Sequence, residues 1–197
     1  MDSPPQAQAT AQDLGPAFER AFRLIVSAEG DEYSDHPKDP GGPTGAGGVS
    51  WRAVRLRDYD RDGKLDFDLD GDGVVTERDM RLVTLEHARQ LFLEDYWRPA
   101  KCELFRDAIA IALADSAYNQ GPRTAVALLQ RALRVGDDGI VGPRTVQAAA
   151  RADLPDLLAR WQAKRLDRYR RDPQADEFFE GWAWRAVRLT AELLRRS

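Results

Sequence analysis

Apolar residues recur along this chain at helical spacing, and nowhere is there a sustained alternation of period two. Phe18, Phe22 and Ile25 follow i, i+4, i+7 and predict a first helix that stops at Gly30. The next stretch, DEYSDHPKDPGGPTGAGGVS, carries enough Gly and Pro to predict a long loop without regular structure. Thr84 predicts the N-cap of a helix bearing Leu85, Ala88, Phe92 and Tyr96, with Pro99 ending it. Between Phe105 and Asn119 the chain is apolar nearly all round (Ala108, Ile109, Ile111, Ala112, Leu113), which predicts a central buried helix. Gly121 closes it, and Pro122 opens another that carries Val126, Leu129 and Leu133. The turn GDDGIVGPRT leads into a short helix opening at Pro143. Two amphipathic helices follow, one with Leu154, Leu158 and Trp161, the other with Phe178, Trp182, Ala186, Leu189 and Leu193. The expected class is all-α: a polar tail over 1–16, a lobe over 17–106 with an acidic insert at 58–79, and a helical lobe over 107–197.

Composition narrows the function classes. With 197 residues, 43% hydrophobic and 31% charged, the chain has the make-up of a soluble globular protein with a real core. No apolar run is long enough for a membrane span. The first residues, MDSPPQAQATAQDLGP, lack the basic start and apolar core of a secretory signal. Cys102 is the only cysteine, which rules out an internal disulfide and a Cys-based zinc site. His36 and His87 are too few for a His-built metal site. The net charge of −4 is uneven: residues 58–79 hold nine Asp or Glu against three Lys or Arg, a local −6, so the rest carries about +2. A mildly basic body tolerates an anionic polymer such as a cell wall, yet it lacks the dense basic face of a nucleic-acid binder.

Continuing the stripe of 18, 22 and 25 by four residues lands on Glu29. A carboxyl there leans on an apolar face, and desolvation raises its pKa, as a glycosidic general acid requires. A Glu near a helix end is ordinarily just solvated, so the surrounding pattern has to decide. Glu29-Gly30, Tyr33, Asp39-Pro40-Gly41-Gly42 and Thr44 together resemble the EGGY…DPGG.T signature of glycoside hydrolase family 108. Further on, Ala88 to Tyr96-Trp97 resembles that family's A…Y…YW helix, and DSAYNQG, with Asp115, Asn119 and Gly121, its DFAVNSG helix. Ala125, Leu129-Gln130, Leu133, Asp138-Gly139, Gly142 and Thr145 follow the pattern A..LQ..L…DG..G..T, and Gly181-Trp182 with Arg185 a terminal GW..R. The similarity covers about residues 17–190 in the right order, apart from the acidic insert.

The resemblance implies a lysozyme-like helical fold and an N-acetylmuramidase, which cleaves the β-1,4 bond between N-acetylmuramic acid and N-acetylglucosamine. Glu29 would protonate the leaving oxygen as an oxocarbenium-like transition state develops. Asp39 is the candidate second carboxylate; the alternative is that it caps its own Gly-rich turn. Tyr33, Thr44, Tyr118 and Asn119 are candidate sugar contacts, since flat amphipathic rings suit pyranose faces. Asp115, on a nearly all-apolar helix, needs a partner such as an Arg and is expected to be structural. Trp97, Trp161, Trp182 and Trp184 are expected in the core. The family's pattern is departed from twice, by one additional residue between Glu29 and Tyr33 and another after Thr44, both around the active-site loop. The second half resembles the peptidoglycan-binding-like domain usually coupled to this family.

The insert, DYDRDGKLDFDLDGDGVVTERD, supplies the alternating oxygen ligands that a hard cation needs. Eight Asp so close together would repel one another without a cation, and Ca2+ is the expected ion. One EF-hand register runs from Asp66 to Glu77. The preferred one uses Asp68, Asp70, Asp72, the Val74 carbonyl, Thr76 and Asp79, because it puts apolar Val75 at position eight. A truncated copy starts at Asp58, Asp60, Asp62 and Gly63, with Leu69 at its twelfth position.

The expected partner is the peptidoglycan glycan strand, met by a monomer. Without a signal peptide, such a protein would be made in the cytoplasm and act in the periplasm or cell wall after export or lysis, delivered by export machinery or a holin. The competing reading is a catalytically inactive wall-binding or secretion-accessory protein of the same fold.

Overall fold

The structure, a computed structural model, describes residues 14–30, 32–35 and 42–195, and within them all side chains except those of Ala28 and Glu29. Helix α1 (Gly15–Glu29) starts with a proline in its first turn and buries Phe18, Ala21, Phe22 and Ile25. After it come a two-stranded hairpin, β1 (Thr44–Gly45) and β2 (Val49–Ser50), and helix α2 (Trp51–Val54). The acidic insert ends in α3 (Glu77–Leu82). Helix α4 (Leu85–Phe92) is opened by Thr84, whose hydroxyl caps the His87 N–H while the His87 ring accepts the Thr84 N–H. It continues through one wide π turn at Leu93–Trp97, so Tyr96 belongs to that turn and not to a regular helix.

Helix α5 (Asp107–Gln120) forms the axis of the molecule. Its run of Ala and Ile leaves every position from Ile109 to Ala117 buried, small enough on all sides for α1 and α6 (Pro122–Leu133) to pack against it. Helix α7 (Pro143–Arg151) is short. Helices α8 (Leu154–Tyr169) and α9 (Ala175–Leu194) pair with one another, and α8 also packs on α6. An aromatic knot joins the N-terminal elements: Phe18 meets Trp97 edge-on at 5.2 Å and Phe92 at 5.3 Å. Each such fully buried ring contributes about 1.5–3 kcal/mol of hydrophobic stabilisation.

Two expectations are corrected. The Gly- and Pro-rich stretch does hold regular structure, because its glycines permit contact. A Cβ on Gly45 would lie 2.6 Å from that of Val83, and one on Gly47 would lie 2.7 Å from that of Ala88. Only bare backbone lets the hairpin sit this close to α3 and α4, and Gly47 adds the left-handed turn between the strands at φ 70°. The second correction concerns tryptophan. Trp97 and Trp161 are buried and Trp182 is half-buried, but Trp184 is 66% exposed. Two residues before buried Ala186, it lies about 200° round the helix from the core face.

Candidate active site

Backbone contacts assemble the region around the end of α1. The Gly30 N–H closes the helix on Val26, and the Gly30 carbonyl accepts the Gly47 N–H at 3.0 Å. The Tyr118 hydroxyl, from the last turn of α5, reaches the Gly47 and Gly48 carbonyls at 3.2 and 3.3 Å, and its ring packs on Tyr96 at 4.9 Å. The hairpin is therefore held between the end of α1 and the end of α5. Thr44 opens β1, pairs backbone to backbone with Ser34 at 2.8 Å, and donates its hydroxyl to the Gly42 carbonyl.

Among the sequence candidates, Thr44 lies in this hairpin, Tyr118 is hydrogen-bonded to it, and Glu29 immediately precedes the Gly30 that it joins. Tyr118 spends its hydroxyl on the loop, so its role in the structure is to hold the site's wall. Asn119 turns its amide back to the Asp115 carbonyl at 2.7 Å, tightening the end of α5. Tyr33 is drawn toward α3: the Arg81 guanidinium covers its ring at 4.1 Å, and Glu77 grips Arg81 at 2.5 Å. Burial, with the Glu77 carboxylate beside it, raises the Tyr33 phenol above its ordinary pKa. Asp39 lies outside the described residues.

The main polar constellation of the interior was only half visible in the sequence. Asp115, 5% exposed, accepts from Arg165 of α8 at 2.7 Å and from Arg185 of α9 at 2.9 Å. Burial alone would raise its pKa; the two guanidiniums reverse that and hold the carboxyl below the usual carboxylate range. A signal for Arg165 existed. It stands on the apolar stripe of α8, four residues after Trp161, where a cation needs an anion across the core. Between α1 and α9 lies a groove of about 340 Å³, with Asp115 and Arg185 at its base. A second, polar depression of about 700 Å³ lies between α6, the turn after it and α8.

Buried Gln130 gathers the residues of the turn in the second half. Its amide nitrogen reaches Asp138 Oδ1, the Ile140 carbonyl and Thr145 Oγ1, while its oxygen accepts the Gly139 N–H at 2.9 Å. The LQ…DG..G..T spacing is thus a scaffold in which a single glutamine folds the turn.

Residues 22–121, just over half of the chain, match the family described as glycosyl hydrolase 108. This chain belongs to the glycosyl hydrolase 108 family. Residues 124–187 match a second family, described as a predicted peptidoglycan domain. Among solved structures, Brucella abortus SagA is similar, with 26% identity and a TM-score of 0.74 over 90% of this chain and 94% of that one. No curated protein matches by sequence. The protein is accordingly a glycoside hydrolase with a lysozyme-like, all-α fold and a peptidoglycan-directed second half. Among the described residues, no helix is long and apolar enough to cross a membrane.

In this hydrolase the acidic insert is a tandem. Asp58 accepts the Asp62 and Gly63 N–H groups, and ten residues on Asp68 accepts those of Asp72 and Gly73. Asp60 and Asp70 repeat one another, as do Asp62 and Asp72. The copies differ where they close. Asp79, fully buried, accepts the Leu69, Asp70 and Thr76 N–H groups; burial raises its pKa, but these donors bring it below the ordinary value. In the first copy Asp66 does this work, taking the Tyr59 N–H at 2.5 Å. Asp66 therefore belongs to the first loop and Glu77 to Arg81, so the loop that closes on itself runs from Asp68 to Asp79. The first copy has Leu69 at its twelfth position and closes instead through Asp66 at position nine.

Proposed function

We propose that this glycoside hydrolase is an N-acetylmuramidase that cuts the β-1,4 bond between N-acetylmuramic acid and N-acetylglucosamine, with Glu29 as general acid. The observation that carries this reading is the burial of Phe18, Phe22 and Ile25 on one stripe of α1, whose next position is Glu29 at the helix's last residue. The hairpin pinned to Gly30 and Tyr118 supplies a wall beside that helix end. Asp39 remains the candidate for the second carboxylate, activating water or stabilising the cation. Digestion of purified sacculi followed by mass spectrometry tests the reaction. Products ending in reducing N-acetylmuramic acid are expected, whereas reducing N-acetylglucosamine would sink the bond assignment. The site of action under this reading is the periplasm or cell wall.

The acidic tandem fits a hard cation. Carboxylate oxygens of Asp68, Asp70 and Asp79 lie within 4.8 Å of one another, with Asp72, the Val74 carbonyl and Thr76 completing an all-oxygen donor set for Ca2+. Position eight of this loop, Val75, is buried, and its carbonyl accepts the Trp51 indole N–H at 2.7 Å. From the loop's closing residue α3 runs on to Arg81, which covers Tyr33. A bound cation would neutralise the clustered carboxylates and fix α3 against the active-site loop. Because resting cytosolic calcium is low, the loop would fill mainly outside the cytoplasm. Turbidity clearing of wall preparations should rise with calcium and fall with chelator; equal rates would reject this role.

A further inference from the structure

We propose that the groove between α1 and α9 is a glycan subsite that holds one muramyl residue, whose stem peptide leads out over Arg188. This inference rests on the muramidase reading and adds a binding site on the second half of the chain.

Leu24 and Ser27 of α1 form one wall of the groove, and Gly181, Trp184 and Arg188 of α9 form the other. At about 340 Å³ it is at the small end of ligand pockets, enough for one substituted sugar. Trp184, two-thirds exposed, stands on a helix whose core face is already filled by Ala186, Leu189 and Leu193. Such a ring offers a flat apolar face to the C–H face of a pyranose and an N–H to its hydroxyls. The space beside Gly181 is open, since a Cβ there would meet nothing within 4 Å.

Charge selects among sugars. Both carboxylates of the groove are taken: Asp115 holds Arg165 and Arg185, and Glu192 pairs with Arg20 at 3.1 Å. Arg188 is exposed, and no carboxylate among the described residues pairs with it. A cation beside an aromatic platform suits a sugar that carries an anionic substituent. In peptidoglycan that is the muramyl residue, through the carboxylates of its stem peptide. Position agrees with this. Ser27 precedes Glu29 by two residues, about 3 Å along the helix axis. A strand lying in the groove therefore runs toward the end of α1.

Two variants test the proposal, with pelleting of sacculi as a readout independent of turnover. Trp184→Ala should weaken sacculus binding about fivefold and raise KM similarly with kcat nearly unchanged, while Trp184→Phe restores part of it. Arg188→Ala should weaken binding to intact sacculi more than to glycan strands whose stem peptides an amidase has removed, where each muramyl residue keeps only the single lactyl carboxylate that the amidase frees. Both side chains are exposed, so thermal unfolding should match the parent protein. Unchanged pelleting by Trp184→Ala would overturn the subsite, and equal loss on stripped and intact strands for Arg188→Ala would overturn the peptide assignment. If the parent protein binds sacculi and releases no reducing ends, the muramidase reading fails and the pelleting comparison still decides this one.

Discussion

In the second half of the chain, polar motif residues turn inward. Asp115 takes two arginines and Gln130 takes the whole turn from Asp138 to Thr145. Around the end of α1 the joining is done mostly by backbone: Gly30 to Gly47, Ser34 to Thr44, and the Gly47 and Gly48 carbonyls to Tyr118. There Glu32, Ser34 and Asp35 stay exposed. A buried polar group must be fully satisfied or it costs stability, so motifs of the first kind report on folding. Motifs of the second kind fix a surface cheaply and leave carboxyl groups available for chemistry.

Substitutions should divide along the same line. The largest effect belongs to Glu29→Gln: muropeptide release should fall about 10³-fold, the scale of a lost general acid, with the melting temperature unchanged. A fall in stability with retained turnover would move Glu29 into the folding class. Next, Asp115→Asn leaves two buried guanidiniums without their anion and should cost about 3–5 kcal/mol in urea unfolding. The same carboxylate sets an acid limit. Its folded pKa lies below the ordinary 3.8, so its contribution is complete above that value and is lost as pH falls through the folded one. Stability of the parent protein should drop across that window, and that of Asp115→Asn should drop less. Gln130→Ala should cost about 2 kcal/mol through orphaned groups in the turn, with kcat on sacculi kept at temperatures where the protein stays folded. Smallest is Tyr118→Phe, which releases the hairpin from α5: about a twofold loss of activity and almost no change in unfolding midpoint.

Helices were the legible part of the sequence. The boundaries of α1, α5, α6 and α7 are written by Gly30, Gly121, Pro122 and Pro143, and the stripes on α8 and α9 predict their buried faces. Asp115 announced its need for a cation, and Arg165 stood on the facing stripe, although spacing alone could not pair them across the core. The hairpin was illegible because glycine reads as a breaker in one dimension and as a point of close contact in three. Trp184 was misplaced for a related reason: composition puts tryptophan inside, whereas its angle on α9 puts it outside. The Asp66 closure was missed because it departs from the twelve-residue rule by which such loops are counted.

The arrangement about Asp115 also orders events in time. Its partners lie 50 and 70 residues further along the chain. At about 5–20 residues per second, a ribosome needs several seconds after making Asp115 to supply the second arginine. Until then, closing the core over α5 would bury a carboxylate with too little positive charge, at a cost of several kcal/mol. Burial of α5 is therefore disfavoured until α9 has been made, and the groove between α1 and α9 is completed only then.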